Sequence, residues 1–500
     1  MLILGDLSGI QDYLFDVRER GGKQAATLRF RSLRLQLMAE ALAERVMRAL
    51  GLQRSSSLLF CAAGKFAIET GAVRVGREVL DRLRGELSGW LLEEAHGRLR
   101  FAMSWEGEGM SADTVDAVSR LDAVQKQLQR WKWRPWGEVW GDGMGELAVY
   151  DQEMESERDA ALGRAVLERD VAAVSLGGGS GREVMRVAGL PVRLLAGDLS
   201  GGGGEVLKLE RFARHTPRHA DGSLVEFVEL AGRSRGGAFL GVLKADADRL
   251  GEVFRRVLRG STGFKPLVEL SQRLERFFGP TLQAMLSSDR RLGQMYVVFS
   301  GGDDVLMVGP WDVALEFAGR LRGAFAKEFG SVGEGPGLTL SAGCAVVKPR
   351  YPVHVAAGQA EELLLKAKSS GRDRFTGLGE VWPWSAHEAV LGAGRKLADW
   401  VGSGEVKRGW VHTMLGLTLL RRGEMEATVG GGACPEVATS RLVYHVARNW
   451  PGNGAARDWV DGVVREFDRM ERTENAAVRY LPAVLRYALL AGRSPGGDEV

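Results

Sequence analysis

The sequence has few cysteines and no long apolar run, and each shortage argues against a class of protein. Its three cysteines, Cys61, Cys344 and Cys434, are far apart and form no Cys-x-x-Cys pair, which argues against a disulfide framework and a structural zinc site. No apolar run approaches the ~20 residues that span a bilayer, and the first residues lack the basic and apolar regions of a signal peptide. We therefore expect a cytoplasmic protein without zinc and without a membrane partner.

The sequence also has little excess charge and lacks several catalytic signatures. The net charge of +3 comes from 67 basic and 64 acidic residues, which excludes a strongly basic coat but permits local phosphate-binding patches. The glycine-rich stretch 177–181 lacks the lysine of a nucleotide-binding P-loop. None of the seven histidines adjoins an aspartate, so the His-Asp pair of a metal-dependent nuclease is missing.

Residues 296–308 contain two apolar runs around the tetrapeptide Gly301-Gly302-Asp303-Asp304. This pattern predicts a β-hairpin, in which the glycines permit positive φ angles at the turn. Two adjacent carboxylates at the turn suit Mg²⁺ or Mn²⁺, which prefer hard oxygen ligands. The alternative is that the tetrapeptide is a solvated turn without function.

The order of predicted elements occurs twice. Asp6 lies 58 residues before Gly64 (64 − 6), and Asp246 lies 57 residues before Asp303 (303 − 246). Each copy has the order βα–α–ββ–α–β–α, which predicts a tandem duplication of one α/β unit. Gly64 and Lys65 stand in the first copy where the second has two aspartates, so only the second is equipped for metal chemistry.

These patterns divide the chain into four expected domains. They are a first α/β unit at 1–142, a linking domain with mobile loops at 143–235, a second α/β unit at 236–384 and a helical domain at 385–500, with Ser385 as its expected N-cap. Two clusters between these elements have an ordinary and a ligand-binding interpretation. We expect the arginines of a long amphipathic helix to form a solvated face and four tryptophans to form a packed domain edge, although either set could meet nucleotides (Arg29, Arg31, Arg34; Trp131, Trp133, Trp136, Trp140).

The second unit can assemble a polyphosphate site. Asp246 follows its first strand, which we expect to lie beside the hairpin that carries Asp303 and Asp304. Three converging carboxylates can hold two divalent ions, one activating a hydroxyl and the other stabilising the leaving oxygen. Lys368, near the end of the last helix, could neutralise a triphosphate, although a lone lysine there also suits the helix dipole.

With these residues in place, the chain resembles the large polymerase and cyclase subunit of type III CRISPR effector complexes. The resemblance rests on ordered stretches across both units and the helical tail (Gly5-Asp6-Leu7-Ser8-Gly9-Ile10-Gln11; Leu28-Arg29-Phe30-Arg31-Ser32; Asp246-Ala247-Asp248-Arg249-Leu250-Gly251; Ser300-Gly301-Gly302-Asp303-Asp304; Ala367-Lys368 to Arg372). It implies an α/β (α+β) fold of two tandem ferredoxin-like palm domains, a linking domain and a C-terminal helical bundle.

The resemblance also implies an activity and a set of site residues. The two palms would hold two ATP molecules, and the ribose 3′-hydroxyl of one would attack the α-phosphate of another to form 3′–5′ linked cyclic oligoadenylates for antiviral defence. Asp246, Asp303 and Asp304 become the catalytic residues and the ligands of two Mg²⁺ or Mn²⁺ ions. The implied nucleotide-binding residues are Ser8, Asp248, Ser300, Gly301, Gly302, Lys368 and Arg372. The implied partners are guide RNA, target RNA, a small helical subunit and the subunit that binds the guide 5′ end.

Two departures from the family pattern and two alternatives stay open. Many relatives begin with a His-Asp nuclease domain and carry a four-cysteine zinc site between the palms; this sequence has neither, so we expect no DNA cleavage by this chain and a reorganised linking domain. A free-standing dinucleotide cyclase would carry Asp-Glu-Phe where Asp303-Asp304-Val305 stands. A scaffold subunit with a silent pocket would leave clustered carboxylates without a counter-charge, which costs stability.

Overall fold

The computed structural model describes residues 1–15, 24–107, 116–133, 159, 171–179, 181–196, 204–332, 337–424, 435–449 and 454–493. Across these ranges the chain forms three β-sheets with helices packed against them. The fold confirms the predicted α/β architecture of two tandem palms, a linking region and a helical bundle. No helix in the described ranges is long and apolar enough to cross a membrane.

The first palm is a four-stranded antiparallel sheet with strand order β2-β3-β1-β4. Its strands are β1 (Leu2–Ser8), β2 (Leu58–Ala62), β3 (Lys65–Glu69) and β4 (Arg100–Trp105). Its helices are α1 (Ile10–Phe15), α2 (Gln24–Ala49), α3 (Arg54–Ser57), α4 (Arg77–Ala95) and α5 (Ala117–Lys132).

Helix α2 lies at the centre of the molecule, between the first sheet, the linking sheet and the second palm. Every side chain from 25 to 44 is buried, so the predicted amphipathic helix with a solvated arginine face is wrong. Arg31 is paired with Asp159 at 2.7 Å, and Arg34 is paired with Glu94. Arg29 is fully buried, and its guanidinium nitrogens have no hydrogen-bond partner in the described part of the chain. A helix that is covered on all sides is buried all round, whatever its polar content.

The linking region contains an antiparallel sheet that the sequence analysis did not predict. Its strands are β5 (Val171–Leu176), β6 (Arg182–Val187), β7 (Leu190–Ala196) and β8 (Glu205–Lys208), in the order β6-β7-β5-β8. Helix α6 (Phe227–Gly232) follows. Most of 143–170, Ser180 and the glycines at 201–203 lie outside the described residues, and the four domain boundaries stay predictions.

The tryptophan cluster is only partly a packed edge. The Arg84 guanidinium lies 3.6 Å from the ring centre of Trp131. Trp133 is 86% exposed, so the packed-edge prediction is wrong for this residue. Trp136 and Trp140 lie outside the described residues.

The second palm repeats the first sheet and extends it by two strands. Strands β9 (Leu240–Asp248), β10 (Tyr296–Gly301), β11 (Asp304–Pro310) and β12 (Thr339–Val347) pair antiparallel as β10-β11-β9-β12. Strand β13 (Arg374–Gly377) adds parallel to β12, and β14 (Glu380–Pro383) completes the edge. The helices are α7 (Leu250–Leu258), α8 (Lys265–Arg276), α9 (Leu282–Ser287), α10 (Trp311–Phe329) and α11 (Val353–Ser369). The shared strand order confirms the duplication.

The C-terminal helices share one hydrophobic core with the second palm. They are α12 (Trp384–Gly402), α13 (Arg408–Arg421), α14 (Pro435–Asn449), α15 (Ala455–Glu466), α16 (Ala476–Arg479) and α17 (Leu481–Ala491). The expected N-cap at Ser385 is wrong, because α12 starts at Trp384 with Pro383 as its cap. Tyr480, with φ −110° and ψ 34°, interrupts the predicted last helix.

Candidate functional site

The three predicted catalytic aspartates come together at one end of the second palm sheet. Strands β9 and β11 are neighbours, and their register places Asp246 opposite Asp304. Asp303 lies in the turn between β10 and β11, and its carbonyl accepts a hydrogen bond from Ala247 N at 2.9 Å. Asp246 lies two residues before the end of β9, because this strand runs further than the predicted one.

The glycines of the turn allow the two palms to touch. Gly302 has a φ of 66°, and a Cβ at this position would lie 2.7 Å from the Cβ of Ala63. Ala63 belongs to the equivalent turn of the first palm and has a positive φ of 51°. The two hairpin turns therefore abut, and only glycine fits at position 302 without displacement.

Burial and mutual repulsion raise the pKa values of two carboxyls. Burial, followed by the charge of Asp303, raises the pKa of Asp304 to about 8, and nearby Lys244 partly opposes this rise. Burial and Asp303 also raise the pKa of Asp246 to about 6, against the attraction of Lys368. Lys368 forms an ion pair with Asp246. A buried Oδ1 of Asp304 has no hydrogen-bond partner.

These properties fit a divalent cation. A cation lowers the pKa of neighbouring carboxyls and supplies a partner for an unpaired carboxylate oxygen. Within the described ranges no three His, Cys, Asp or Glu side chains are already arranged as a metal centre. Asp246, Asp303 and Asp304 are nevertheless a suitable donor set, since Mg²⁺ takes few protein carboxylates and completes its shell with water and phosphate oxygens.

Asp248, a predicted nucleotide-binding residue, has a structural environment. It is 3% exposed, and its carboxylate accepts hydrogen bonds from Thr339 Oγ1 at 2.8 Å, Ser341 Oγ at 2.8 Å and Asp373 N at 3.0 Å. These bonds join β9 to β12 and to the loop after α11. The structure therefore directs Asp248 into the sheet, away from an open site.

Ser300 and Gly301 support the turn from behind. Ser300 is buried, and its hydroxyl donates to Phe278 O at 2.5 Å. Its carbonyl accepts from Gln36 Nε2 of helix α2 at 2.6 Å, a contact between the palms that the sequence analysis missed. A Cβ at Gly301 would meet only ordinary contacts, the nearest at 3.7 Å.

The other predicted nucleotide-binding residues occupy separate places. Ser8 ends β1 and is half-buried opposite Arg100 of β4. Arg372 is exposed, has a φ of 62° and lies in the loop after α11. Among the residues beyond the aspartates, Lys368 is the one that the structure joins directly to them.

A cleft of about 580 Å³ lies between the palms, next to the paired turns. Its wall includes Asp6, Lys65 and Lys132 from the first palm and Asp303 from the second. Three aromatic rings provide an apolar part (Phe60, Phe66 and Phe254). This volume is in the range of small-molecule sites.

The sequence analysis missed Lys132, which forms an ion pair with Asp6 at 2.8 Å. Lys132 lies 126 residues after Asp6 (132 − 6), and Lys368 lies 122 residues after Asp246 (368 − 246). The duplication therefore contained a signal for this pair. Ion pairs between the first strand and the last helix occur in both palms.

Two family descriptions match the chain. Residues 1–141 match "Csm1 subunit domain B", and residues 239–376 match "Cas10/Cmr2, second palm domain". A curated relative from Thermococcus onnurineus, described as a CRISPR system single-strand-specific deoxyribonuclease Cas10/Csm1 of subtype III-A, is 28% identical over 77% of this chain and 55% of its own length. The counterpart from Mycobacterium tuberculosis is 24% identical over 74% of this chain and 52% of its own. The chain thus spans about half the length of these relatives.

Solved structures share the fold. A Csm1-Csm4 cassette in complex with one ATP covers 98% of this chain and 70% of its own, with a TM-score of 0.73 and 23% identity. The cassette in complex with pppApA covers 98% and 69%, with a TM-score of 0.73 and 22% identity.

Proposed function

The chain belongs to the Cas10/Csm1 family of type III CRISPR proteins, and from this premise we propose that it makes cyclic oligoadenylates from ATP. The observation that supports this proposal best is the convergence of Asp246, Asp303 and Asp304 beside Lys368 and a cleft formed by both palms. The similarity to cassettes solved with ATP and pppApA supports adenine nucleotides as substrates.

We propose partners on the same basis. The similar solved structures are Csm1-Csm4 cassettes, one of them described as a subcomplex of the type III-A CRISPR-Csm interference complex. The chain would assemble with a guide-binding subunit of that kind, a small helical subunit and guide RNA, and target RNA would switch on synthesis. Cleavage of DNA is not part of this proposal, and its predicted absence stays a prediction.

The carboxylates supply the negative charge of the site. Asp246, Asp303 and Asp304 would hold divalent ions, which when bound help to ionise the attacking 3′-hydroxyl and stabilise the leaving oxygen. The raised pKa values of Asp246 and Asp304 mean that proton release accompanies ion binding. Buried and held by a six-stranded sheet, these carboxylates need little rearrangement when substrate arrives.

Lys368 would orient the triphosphate. It contacts Asp246 in the structure, and an ammonium has three donors, so it can contact a phosphate while it keeps this partner. The attack forms a bond between the 3′-oxygen and the α-phosphorus, breaks the bond to the β-phosphate and releases pyrophosphate. Lys368 would neutralise charge that develops on the pyrophosphate.

The test is synthesis by the assembled complex. The complex is incubated with ATP and Mg²⁺, with or without target RNA, and mass spectrometry identifies the products. We expect cyclic adenylates that require target RNA and vanish in Asp303→Asn/Asp304→Asn, whereas Asp458→Asn, an exposed change on α15, keeps them. Absence of product with target RNA would leave a silent scaffold, and products from GTP alone would indicate a guanylate cyclase.

A further inference from the structure

The first palm keeps the framework of the catalytic end of the second palm. Leu7 N donates to Gly64 O at 2.8 Å in the first palm, and Ala247 N donates to Asp303 O at 2.9 Å in the second. Asp6 pairs in register with Lys65, as Asp246 pairs with Asp304. The two ends therefore superpose residue by residue in hydrogen-bond register.

The charges at these equivalent positions are opposite. The second palm has three carboxylates and one lysine (Asp246, Asp303, Asp304 and Lys368), with a formal charge of −2. The first palm has one carboxylate, one glycine and two lysines (Asp6, Gly64, Lys65 and Lys132), with a formal charge of +1. A set with net negative charge needs cations before it can accept a polyphosphate, whereas a set with net positive charge attracts the polyphosphate directly.

The cleft gives this positive set a ligand-sized space. Asp6, Lys65 and Lys132 line it, and Lys126, one turn and a half earlier on α5, adds a third lysine. Lys132 is 25% exposed at its side chain while it contacts Asp6. The ammonium can therefore keep the buried carboxylate as a partner and donate a further hydrogen bond into the cleft.

We propose that the first palm binds the polyphosphate of a nucleotide without a divalent cation, through Lys65, Lys126 and Lys132. The two palms then bind nucleotides by different electrostatic means, the first through lysines and the second through metal ions. The identification of the nucleotide as ATP rests on the proposed function. The anion site itself follows from the charges, the register and the cleft.

The experiment measures binding of α,β-methylene-ATP, which the proposed reaction cannot cleave, to the intact protein by equilibrium dialysis. In excess EDTA we expect one equivalent to bind, and a second equivalent to bind after Mg²⁺ is added. Lys132→Ala and Lys65→Ala should each weaken binding in EDTA by about tenfold or more, because a charge-assisted contact is lost. Lys208→Ala, on the linking sheet with a side chain 65% exposed, is the matched control and should change nothing.

Two further variants separate this site from the metal site. Asp304→Asn should remove the Mg²⁺-dependent equivalent and keep the one bound in EDTA. Lys65→Asp, which introduces the residue type of the second palm at the equivalent position, should weaken binding in EDTA more than Lys65→Ala does. Thermal unfolding of each variant verifies that it is folded, and Lys132→Arg should retain binding through its positive charge.

The results that would overturn the inference are specific. No binding in EDTA by the folded wild-type protein would refute it, and so would binding in EDTA that neither lysine variant weakens. Cyclic products without binding in EDTA would leave the proposed function standing and remove this site. Binding in EDTA without products from the full complex would do the reverse.

Discussion

Asp304 should destabilise the metal-free protein, and Asp304→Asn should relieve this cost. The pKa of this carboxyl rises from 3.8 to about 8 on folding, so at neutral pH folding takes up a proton that the unfolded chain does not bind. Each pH unit above 3.8 costs about 1.4 kcal/mol until the folded pKa is reached. At pH 7.5 this gives an upper bound of about 5 kcal/mol, and relaxation around the charge reduces it to about 1–3 kcal/mol.

The sign of the pH dependence follows from the direction of the pKa change. The folded pKa lies above the unfolded value, so the folded protein binds more protons between them and its stability falls as pH rises from about 4 to about 8. Asp304→Asn does not titrate, so its advantage over the wild-type protein should grow across this window and diminish towards pH 5.

The assay is thermal unfolding in EDTA and in Mn²⁺ at several pH values. In EDTA at pH 7.5 we expect Asp304→Asn to unfold about 2–6 °C higher than the wild-type protein. Mn²⁺ should stabilise the wild-type protein and leave the variant unchanged. The exposed Asp458→Asn serves as the control. An Asp304→Asn protein that is less stable than wild type in EDTA would refute the reasoning, because the carboxylate would then have a favourable partner.

Three other perturbations test separate contacts. Lys368→Ala should raise the KM for ATP about tenfold and shift the pH profile upward, because Lys368 lowers the pKa of Asp246; an unchanged profile would contradict their ion pair. Gly302→Ala should lower the unfolding free energy by about 1–3 kcal/mol, and Ala63→Gly should restore part of it in denaturant unfolding, whereas a neutral Gly302→Ala would contradict the contact between turns. Arg29→Met should increase stability by about 1–3 kcal/mol, because burial lowers the pKa of Arg29 to about 10 without a partner; reduced stability would reveal an acceptor.

The sequence predicted those features that depend on local pattern and on repetition. The equal spacing from Asp6 to Gly64 and from Asp246 to Asp303 predicted two copies of one sheet, and the structure confirms the same strand order in both. The apolar runs on either side of Gly301 predicted the hairpin. Neither prediction needed knowledge of how the copies meet.

The features that the sequence missed depend on contacts between distant segments. The arginines of α2 follow a pattern that also suits a solvated face, and only the surrounding elements make the helix central. Asp248 stands beside the catalytic Asp246 in the sequence, but alternation along β9 and the hydroxyls of β12 direct it into the sheet. Lys132 gave no local signal, and its role becomes visible only when the two copies are aligned.

The cleft between the palms also determines how activity depends on protein concentration. Both walls belong to one polypeptide, so the two halves meet by folding, and no bimolecular encounter is needed to complete the pocket. Tethering of this kind replaces a dissociation equilibrium by a high effective concentration. Dilution of the assembled complex should therefore leave the turnover per chain constant, whereas a pocket formed between two separate identical subunits would lose turnover as the subunits dissociate.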